Sequence, residues 1–455
     1  MPLELTFLGG AGTVTGSKYL LRDTHTNLLV DCGLFQGLKQ LRLKNWARFP
    51  IPPSDIAAVL ITHAHIDHSG YLPLLVRHGF RGPIFCSEAT ADLCGIMLPD
   101  AAHLQEKDAE FANHRGFSKH KPALPLYTVD DALRTLTLLK PVAFDSPWQV
   151  TGGARARYRR AGHILGAASL ELSWHDHRIV FSGDIGRYDD PLLPDPQTPE
   201  STDTLLIEST YGDRLHGSED IGAEFAAIIG RTMARGGTLI IPAFAVGRAQ
   251  LLLYHLWRLK SSGRVARELP IYMDSPMAID ASDIFRAHPQ DHKLNEADTR
   301  AVFALAHYVR EPEKSKALTA DTSPKIILSA SGMASGGRVL HHLKHYAPDP
   351  RNAILFAGFQ AAGTRGAALI AGRREIKIFG DYVPVRADVH NMHTFSAHAD
   401  QNELMRWLKA MKAAPRQTYI VHGEPSAADG LRHRIEEDLG WTCTVAEERN
   451  TVELT

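Results

Sequence analysis

Residues 62–70 read Thr-His-Ala-His-Ile-Asp-His-Ser-Gly, and this stretch decides the fold. It directly follows an apolar run that predicts a β-strand. His63 and His65 are two residues apart and can point the same way from an extended turn, while Asp67 and His68 offer a second set of ligand atoms. Borderline-soft zinc favours imidazole nitrogen and carboxylate oxygen. The stretch therefore predicts a zinc site on a loop after a strand.

Further polar residues stand at the ends of other apolar runs or in glycine-flanked loops: Asp31, His163, Asp184, Glu208 and His422. Taken singly, each is more often a turn residue or a helix cap. A polar residue just past a buried strand, however, lies on one rim of a sheet, where sites in layered folds are built. Two zinc ions close together need about six or seven such groups and a bridging carboxylate, so the sequence offers enough ligands for two.

The pattern of predicted secondary structure changes along the chain. Before about residue 210, short apolar runs are separated by turn signals, and the first three runs, within residues 3–30, predict a meander of antiparallel strands. After it, strands alternate with helical stretches, the first of which Ser218 can cap, and this alternation predicts a parallel sheet. The last part returns to strand-turn-helix units. We therefore predict a first domain part over residues 1–209, an inserted α/β domain over 210–380, and a returning part over 381–455.

Composition narrows the function classes. Lys+Arg is 50 and Asp+Glu is 51 in 455 residues, a net charge of −1 that argues against coating long duplex nucleic acid. Four cysteines without C-x-x-C spacing indicate a reducing compartment, here the cytoplasm, and no thiolate zinc site. No basic leader with an apolar core and no long apolar run is present, so we expect no signal peptide and no contact with a membrane.

These residues resemble, in order, the motifs of the metallo-β-lactamase superfamily and, within it, the β-CASP branch of RNA-processing nucleases. Asp31, the His/Asp stretch, His163 and Asp184 are similar to the four superfamily motifs. The β-CASP motifs are matched by Glu208 in Ile-Glu-Ser-Thr-Tyr-Gly, by His398 in Phe-Ser-Ala-His-Ala-Asp, and by His422 in Val-His-Gly-Glu. The resemblance covers essentially the whole chain. It implies an α/β fold, an αββα sandwich with an inserted α/β β-CASP domain over the active site.

The resemblance also implies a ligand set for two Zn²⁺ ions per chain. One ion would be held by His63, His65 and His163, and the other by Asp67, His68 and His422. Asp184 would bridge the pair, and Asp31 would orient ligands from behind, as such sites generally require.

Family members with His at the position of His422 act on RNA, so the resemblance implies single-stranded RNA as substrate. Hydroxide on the metal would attack the phosphodiester, with Asp67 at the reacting centre. His398 could protonate the leaving oxygen while Glu208 holds its other ring nitrogen. The chain ends soon after the last motif, at Thr455, which favours an endonuclease over a 5′-exonuclease.

Phosphate-binding candidates lie in the middle block and carry weaker signals. Small-residue loops before a helix can present N–H groups to an anion, and a plain Ser/Gly-rich helix start is an equal alternative. Four arginines within residues 155–160 could line an RNA path or form an exposed strand edge. The phosphate-binding candidates are Arg248, Ser329, Ser331, Gly332 and Arg365.

Two other functions compete with the nuclease. A hydrolase of a small thioester or lactone in the same superfamily would use the same metal ligands. A non-catalytic subunit of an RNA-processing complex is disfavoured because every ligand position is filled. The sequence leaves the oligomeric state open, and a homodimer is suggested by base rates for soluble proteins alone.

Overall fold

The structure is a computed structural model that describes residues 3–116, 119–217, 220–358, 360–361 and 363–454. Within it the chain folds into two units. The first unit comprises Met1–Leu215 and His398–Thr455, and the second comprises His216–Ala397.

The strands and helices are numbered in chain order. The strands are β1 (Leu3–Gly9), β2 (Lys18–Arg22), β3 (Asn27–Val30), β4 (Ile56–Leu60), β5 (Ile84–Cys86), β6 (Leu139–Pro141), β7 (Trp148–Gln149), β8 (Arg155–Arg160), β9 (Ala168–Trp174), β10 (His177–Phe181), β11 (Thr204–Glu208), β12 (Leu239–Pro242), β13 (Ile271–Met273), β14 (His307–Tyr308), β15 (Ile326–Ser329), β16 (Ala353–Ala357), β17 (Glu375–Ile378), β18 (Asp381–Pro384), β19 (Asp388–Met392), β20 (Gln417–Val421), β21 (Cys443–Val445) and β22 (Thr451–Leu454). The α-helices are α1 (Lys39–Lys44), α2 (Ile66–Ser69), α3 (Leu72–Arg77), α4 (Glu88–Arg115), α5 (Val129–Leu136), α6 (Ile221–Ala234), α7 (Arg248–Ser261), α8 (Pro276–Ala287), α9 (Glu296–Phe303), α10 (Pro312–Ala320), α11 (Val339–Tyr346), α12 (Arg365–Ile370), α13 (Gln401–Lys409) and α14 (Pro425–Leu439).

Two mixed sheets form the first unit. One has the strand order β22-β1-β2-β3-β4-β5-β6, in which the pairings from β22 to β3 are antiparallel and those from β3 to β6 are parallel. The other has the order β21-β20-β11-β10-β9-β8-β7, parallel from β21 to β10 and antiparallel beyond. The antiparallel meander predicted for the first strands is confirmed.

The two sheets of the first unit pack face to face around one apolar core. The alternate residues Leu5 and Phe7 of β1 point into this core, as the period of two along a strand requires. Aromatic contacts cross between the sheets, with the ring centroids of Phe7 and Tyr419 5.1 Å apart and those of Tyr19 and Phe181 5.8 Å apart.

Helices cover the outer faces, which completes the α/β sandwich expected from the sequence. On the second sheet, Trp407 of α13 and Leu431 of α14 pack against the alternate residues Leu205 and Ile207 of β11. On the first sheet, α4 packs against β6 and α5. Residues 99–125 lack clear apolar periodicity, yet α4 runs from Glu88 to Arg115 with Pro99 inside it. Its C-terminal half is largely exposed, so no apolar stripe marked it in the sequence.

The second unit is built on one parallel sheet with the order β14-β13-β15-β12-β16-β19. Its strands alternate with helices, which confirms the predicted βαβ pattern. Ile240, Ile327 and Ile354 lie in a core that includes Leu343 of α11 and Leu369 of α12. Ser218, predicted to cap the first of these helices, lies outside the described residues.

The N-cap of α6 is Asp220, whose side chain accepts from the backbone N–H groups of Gly222 and Ala223. The boundary between the units at 397/398 lies later than the predicted one at 380/381, because β19 pairs with β16 in the parallel sheet. The three predicted domain ranges stay a prediction. Within the described residues, no helix is both long enough and apolar enough to cross a bilayer.

Candidate metal centre

The loop that carries the His/Asp stretch is clamped by backbone hydrogen bonds from neighbouring segments. Cys32 N–H donates to His68 O at 2.7 Å, Leu34 N–H to Ile66 O at 2.9 Å, and Ser17 N–H to Asp67 O at 2.9 Å. These bonds fix the path of α2, which carries Asp67 and His68, at the end of the stretch that follows β4.

The other candidates of this unit lie where strands end, as the sequence predicted. Asp31 follows β3 and His422 follows β20, both with positive φ values, of 55° and 48°. Such values are uncommon outside glycine and concentrate at functional sites. Asp184 follows β10 after Gly183, which has φ of 57°. Each of these turns sends a polar side chain off the end of a buried strand.

The first ligand group consists of His63, His65, His163 and Asp184. His65 Nδ1 lies 3.1 Å from His63 Nε2 and 3.2 Å from His163 Nε2. Asp184 Oδ2 lies 3.4 Å from His63 Nε2 and 3.5 Å from His163 Nε2. Four potential ligand atoms thus face one another.

The second ligand group consists of Asp67, His68 and His422. His68 Nε2 and His422 Nε2 are 3.1 Å apart, and His422 Nε2 is 3.4 Å from Asp67 Oδ2. Asp184 Oδ1 lies 3.2 Å from His68 Nε2 and 3.3 Å from His422 Nδ1. One oxygen of Asp184 thus faces each group, which is the arrangement of a bridging carboxylate.

These spacings fit a metal ion better than direct hydrogen bonds. Ligand atoms about 2.0–2.1 Å from a tetrahedral zinc ion lie about 3.3–3.4 Å apart, close to the separations in both groups. His65 Nδ1 faces two imidazole nitrogens at once, and a single ring nitrogen cannot satisfy both through one proton. His63, His163, His68 and Asp184 are each at most 2% exposed. The residues present therefore fit two divalent cations.

Protonation states in the first group agree with metal ligation. Burial, assisted by His63, lowers the pKa of His65 to about 3, and burial with His398 beside it lowers the pKa of His163 well below its ordinary value. Burial and the neighbouring His68 also lower the pKa of His63. These three imidazoles are therefore neutral near pH 7 and have lone pairs to offer.

In the second group, the imidazole of His68 faces the carboxylates of Asp184 and Asp31. Although burial opposes the shift, Asp184 and Asp31 raise the pKa of His68 well above its ordinary value. Burial also opposes a lower pKa of Asp184, yet His422 and His68 hold it well below the ordinary value. A divalent cation between His68 Nε2 and Asp184 would replace the proton that these carboxylates stabilise.

Asp31 lies behind His68, on the side of the ring away from His422. Its Oδ2 lies 2.8 Å from His68 Nδ1, and its Oδ1 accepts from Thr62 N–H at 2.8 Å. The hydrogen bond to Nδ1 leaves Nε2 of His68 as the lone-pair nitrogen. This geometry is compatible with the orienting role that the family resemblance implied for Asp31, and that role stays a prediction.

Two hydroxyl side chains that the sequence analysis missed touch the ligands. Thr62 Oγ1 lies 3.1 Å from His63 Nδ1, and Thr210 Oγ1 lies 3.1 Å from His422 Nδ1. Both stand next to motif residues, Thr62 directly before His63 and Thr210 two after Glu208, and that adjacency was the available signal.

Glu208 and His398 meet beside the ligand groups. His398 Nδ1 lies 3.1 Å from Glu208 Oε1. The same carboxylate accepts from Ile185 N–H at 2.8 Å and from Thr210 N–H at 3.0 Å, so backbone donors fix it. Although burial opposes the shift, Glu208 raises the pKa of His398. Two residues after His398, Asp400 caps α13 and forms a reciprocal capping box with Glu403.

Lys18 of β2 is a buried cation of the first unit that sequence reasoning did not single out. Its Nζ donates to Gly33 O at 2.6 Å and to Gly16 O at 3.0 Å. The Nζ also lies 4.5 Å from the ring centroid of Phe35 and 5.1 Å from that of Tyr71. Burial lowers the pKa of Lys18 to about 8.

The phosphate-binding candidates lie in the second unit and are engaged within it. Arg365 donates to the backbone carbonyls of Lys377, Ala334 and Ser335, so its guanidinium supports a loop. Ser331 Oγ accepts from Ser335 N–H at 2.9 Å and therefore closes the same loop.

The other three candidates are also in contact with residues of the second unit. Ser329 Oγ donates to Asp274 O at 2.9 Å. Gly332 packs so closely on Phe244 that a Cβ there would meet its ring at 2.6 Å. Arg248 begins α7, is buried and lies against Gly358. Their role in phosphate binding stays a prediction.

The arginines of β8 are engaged in ion pairs on the sheet. Arg157 and Arg159 pair with Glu171 of the neighbouring β9, and Arg159 and Arg160 pair with Asp145. These contacts hold most of the positive charge of β8 on the surface of the sheet, which argues against an RNA path along this strand, although β8 lies beside the edge strand β7 and is not itself the edge.

The chain matches three domain families in an order that follows the motifs. Residues 11–219 match the metallo-beta-lactamase superfamily, residues 249–369 the Beta-Casp domain, and residues 382–446 the Zn-dependent metallo-hydrolase RNA specificity domain. Fold and site together define a metallo-hydrolase with paired His/Asp ligand groups.

Curated relatives share most of the chain. Ribonuclease TTHA0252 of Thermus thermophilus is 38% identical over 93% of this chain and 93% of its own length. Transcription termination factor FttA of Methanocaldococcus jannaschii is 30% identical over 93% of this chain and 67% of its own. The chain belongs to the β-CASP branch of the metallo-β-lactamase superfamily, a branch of RNA-processing nucleases, and it is a hydrolase.

A solved structure shares the fold as well. The crystal structure of a protein of unknown function from Enterococcus faecalis V583 matches over the whole of both chains, with a TM-score of 0.51 and 13% identity.

Proposed function

We propose that this protein is a ribonuclease that binds two zinc ions per chain and cleaves single-stranded RNA internally. The observation that carries the proposal is Asp184, whose two carboxylate oxygens divide between the two ligand groups at 3.2–3.5 Å. His63, His65 and His163 would hold one ion, and Asp67, His68 and His422 the other. When bound, the pair of ions supplies a nucleophile from water at neutral pH and stabilises charge on the attacked phosphorus.

The protein's own residues would orient the metal ligands and protonate the leaving oxygen. Asp31 fixes His68 with Nε2 toward the ligand group. Glu208 holds the Nδ1 of His398, so Nε2 is the nitrogen that can donate to the leaving oxygen. A carboxylate partner favours the imidazolium that this donation needs.

A third metal at Asp184, Glu208 and His398 is the competing interpretation of that cluster, because one ligand atom of each lies close to the others. Both oxygens of Glu208 already accept from backbone N–H groups, however, at 2.8 and 3.0 Å. We therefore assign Glu208 to orienting His398.

RNA is favoured as the substrate by the match to the RNA specificity domain at residues 382–446 and by the names of the relatives, a ribonuclease and a transcription termination factor. The ligand groups alone are equally suited to a small thioester or lactone. Few phosphate contacts are expected given the net charge of −1, so affinity should weaken only moderately with salt. Internal cleavage and a homodimer are further parts of the proposal.

The test incubates zinc-loaded protein with circular single-stranded RNA, linear RNA, DNA of the same sequence, and a panel of thioesters and lactones. We expect cleavage of both RNAs and little of the DNA. Cleavage of the circle identifies an endonuclease, since a circle has no end. Asp184→Asn, which keeps the side-chain volume, is the matched control for contaminating nuclease. Activity confined to the small esters would contradict the proposal.

A further inference from the structure

A short basic segment of the first unit, residues 38–48, here called the arm, exposes large apolar side chains among cations. It contains Lys39, Arg42, Lys44 and Arg48 and no acidic residue. Leu38, Leu43 and Trp46 are 40%, 57% and 58% exposed, so large apolar groups stand in solvent among the cations.

Four of the exposed residues share one face. Lys39, Arg42, Leu43 and Trp46 follow the i, i+3, i+4, i+7 spacing of one side of a helix, and α1 with the turn after it spans them. Asn45 is the buried residue of this segment and lies on the other side. A surface helix ordinarily turns its apolar residues inward, and here the largest ones point outward.

Two contacts hold the arm, one at Asn45 within it and one at Phe49 directly after it. Asn45 Nδ2 donates to Phe35 O at 2.8 Å and its Oδ1 accepts from Phe35 N–H at 2.9 Å. Phe49 is buried with its ring centroid 6.1 Å from that of Tyr71. The exposed face therefore has a defined geometry, and binding a partner would cost little entropy for ordering this segment.

Most of the arm's charge is open to a partner. Lys44 pairs with Glu448, whereas no carboxylate of the described residues lies within ion-pair distance of Lys39, Arg42 or Arg48. Unpaired cations beside an exposed indole match a single-stranded nucleic acid, in which phosphates meet the cations and a base stacks on the aromatic ring.

We propose that residues 38–48 form a second binding surface for single-stranded RNA, outside the metal centre, with Trp46 as the base-stacking side chain and Lys39, Arg42 and Arg48 as phosphate contacts. This inference rests on the proposed function, because it concerns the same substrate. A membrane surface is less suitable since α1 has six residues, far fewer than interfacial helices usually have. A protein partner would need about 20–30 residues on each side for a standard interface.

The variants are Trp46→Ala, Trp46→Phe and the pair Arg42→Gln with Arg48→Gln. Phe111→Ala is the matched control, because Phe111 is a 50% exposed aromatic of the same unit that also lies beside a cation, Arg115. All these side chains are on the surface, so thermal melting should stay near that of the parent.

The assay compares cleavage of labelled oligouridylate of about 20 nucleotides, beyond the site sizes of roughly 4–16 nucleotides of single-strand-binding folds, with hydrolysis of bis(p-nitrophenyl) phosphate, which is too small to reach the arm. We expect Trp46→Ala to raise KM for the RNA about 5- to 150-fold, as loss of one stacked base predicts, with hydrolysis of the small ester unchanged. Trp46→Phe should restore most of the loss. The double arginine variant should reduce the slope of log kcat/KM against log salt by about 1.4, from about 0.7 per phosphate contact on single strands.

Equal KM values for the parent, Trp46→Ala and Phe111→Ala, with an unchanged salt slope, would overturn the inference while the parent still cleaves RNA. Failure of the parent itself to cleave RNA would instead refute the proposed function. The inference would also be overturned if the arm variants changed only binding to anionic phospholipid vesicles or only the mass of the protein in solution.

Discussion

Replacing His398 by Ala separates proton donation from metal binding. His398 Nδ1 is directed to Glu208 at 3.1 Å, and none of the seven proposed ligands is altered by the change. We therefore expect the zinc content of His398→Ala to equal that of the parent, while RNA cleavage falls by roughly 10²–10⁴, the usual loss when a general acid is removed. This range corresponds to about 2.7–5.4 kcal/mol of transition-state stabilisation.

The fold should tolerate this change. Glu208 would keep its two backbone donors, Ile185 N–H and Thr210 N–H, so the buried carboxylate is not left without partners. Loss of the remaining hydrogen bond should cost about 1–3 kcal/mol of folding free energy at most. Thermal melting of the zinc-loaded variant checks that the loss of activity is not a loss of structure.

Two companion variants make the result specific. His422→Ala removes the imidazole that lies 3.1 Å from His68 Nε2 and 3.4 Å from Asp67, so its zinc content should fall together with its activity. Glu208→Gln should retain zinc and lose less activity than His398→Ala. Glu208 only orients His398 and favours its protonated form, whereas His398 is the proton donor. His433→Ala, an exposed histidine on α14, is the control for histidine removal.

The assay measures zinc by elemental analysis and cleavage of two RNAs, one of them with a better leaving group at the scissile bond. The activated RNA should recover much of the loss in His398→Ala and little of the loss in His422→Ala. If His398→Ala sheds zinc, or if the activated RNA brings no recovery, His398 is a ligand or a structural residue and the reasoning is refuted.

Two further changes test the surroundings of the site. Asp31→Asn weakens the hydrogen bond to His68 Nδ1 and should lower metal affinity by about 10- to 100-fold in chelator competition. Unchanged affinity would show that Asp31 does not orient His68. Burial lowers the pKa of Lys18 from 10.5 to about 8, so the folded protein gives up this proton before the unfolded chain does. Between pH 8 and 10.5 the free energy of unfolding of the parent should rise by about 3 kcal/mol relative to Lys18→Met, and this gain is lost progressively as the pH falls back toward 8. Denaturant melts across that range check the difference, and parallel pH curves for the two proteins would count against a charged, buried Lys18.

The site was largely predictable because its residues stand in short motifs at strand ends. His63, His65, Asp67 and His68 are adjacent in sequence, and Asp184 and His422 each follow a clear apolar strand. Strand periodicity places such residues on one rim of a sheet without knowledge of the tertiary contacts. The division of the two Asp184 oxygens between the groups was not readable in this way, because it depends on side-chain rotamers.

The features that the sequence did not reveal have weak local signals. The C-terminal half of α4 is mostly exposed, so it lacks the apolar stripe by which a helix is recognised. Lys18 is an isolated cation in a strand, and only the packing of Phe35 and Tyr71 around it makes it buried. Arg365 illustrates the opposite failure, since an exposed-looking arginine in a glycine-rich loop donates to three backbone carbonyls.

The central claim, a pair of metal ions bridged by Asp184, is tested most directly by the metal content of the protein as purified. Elemental analysis of protein prepared without chelator should find close to two zinc ions per chain, and Asp184→Asn, which removes the charge facing both groups, should hold clearly less. A reproducible value near zero or one for the parent, with no gain when zinc is added, would contradict the account.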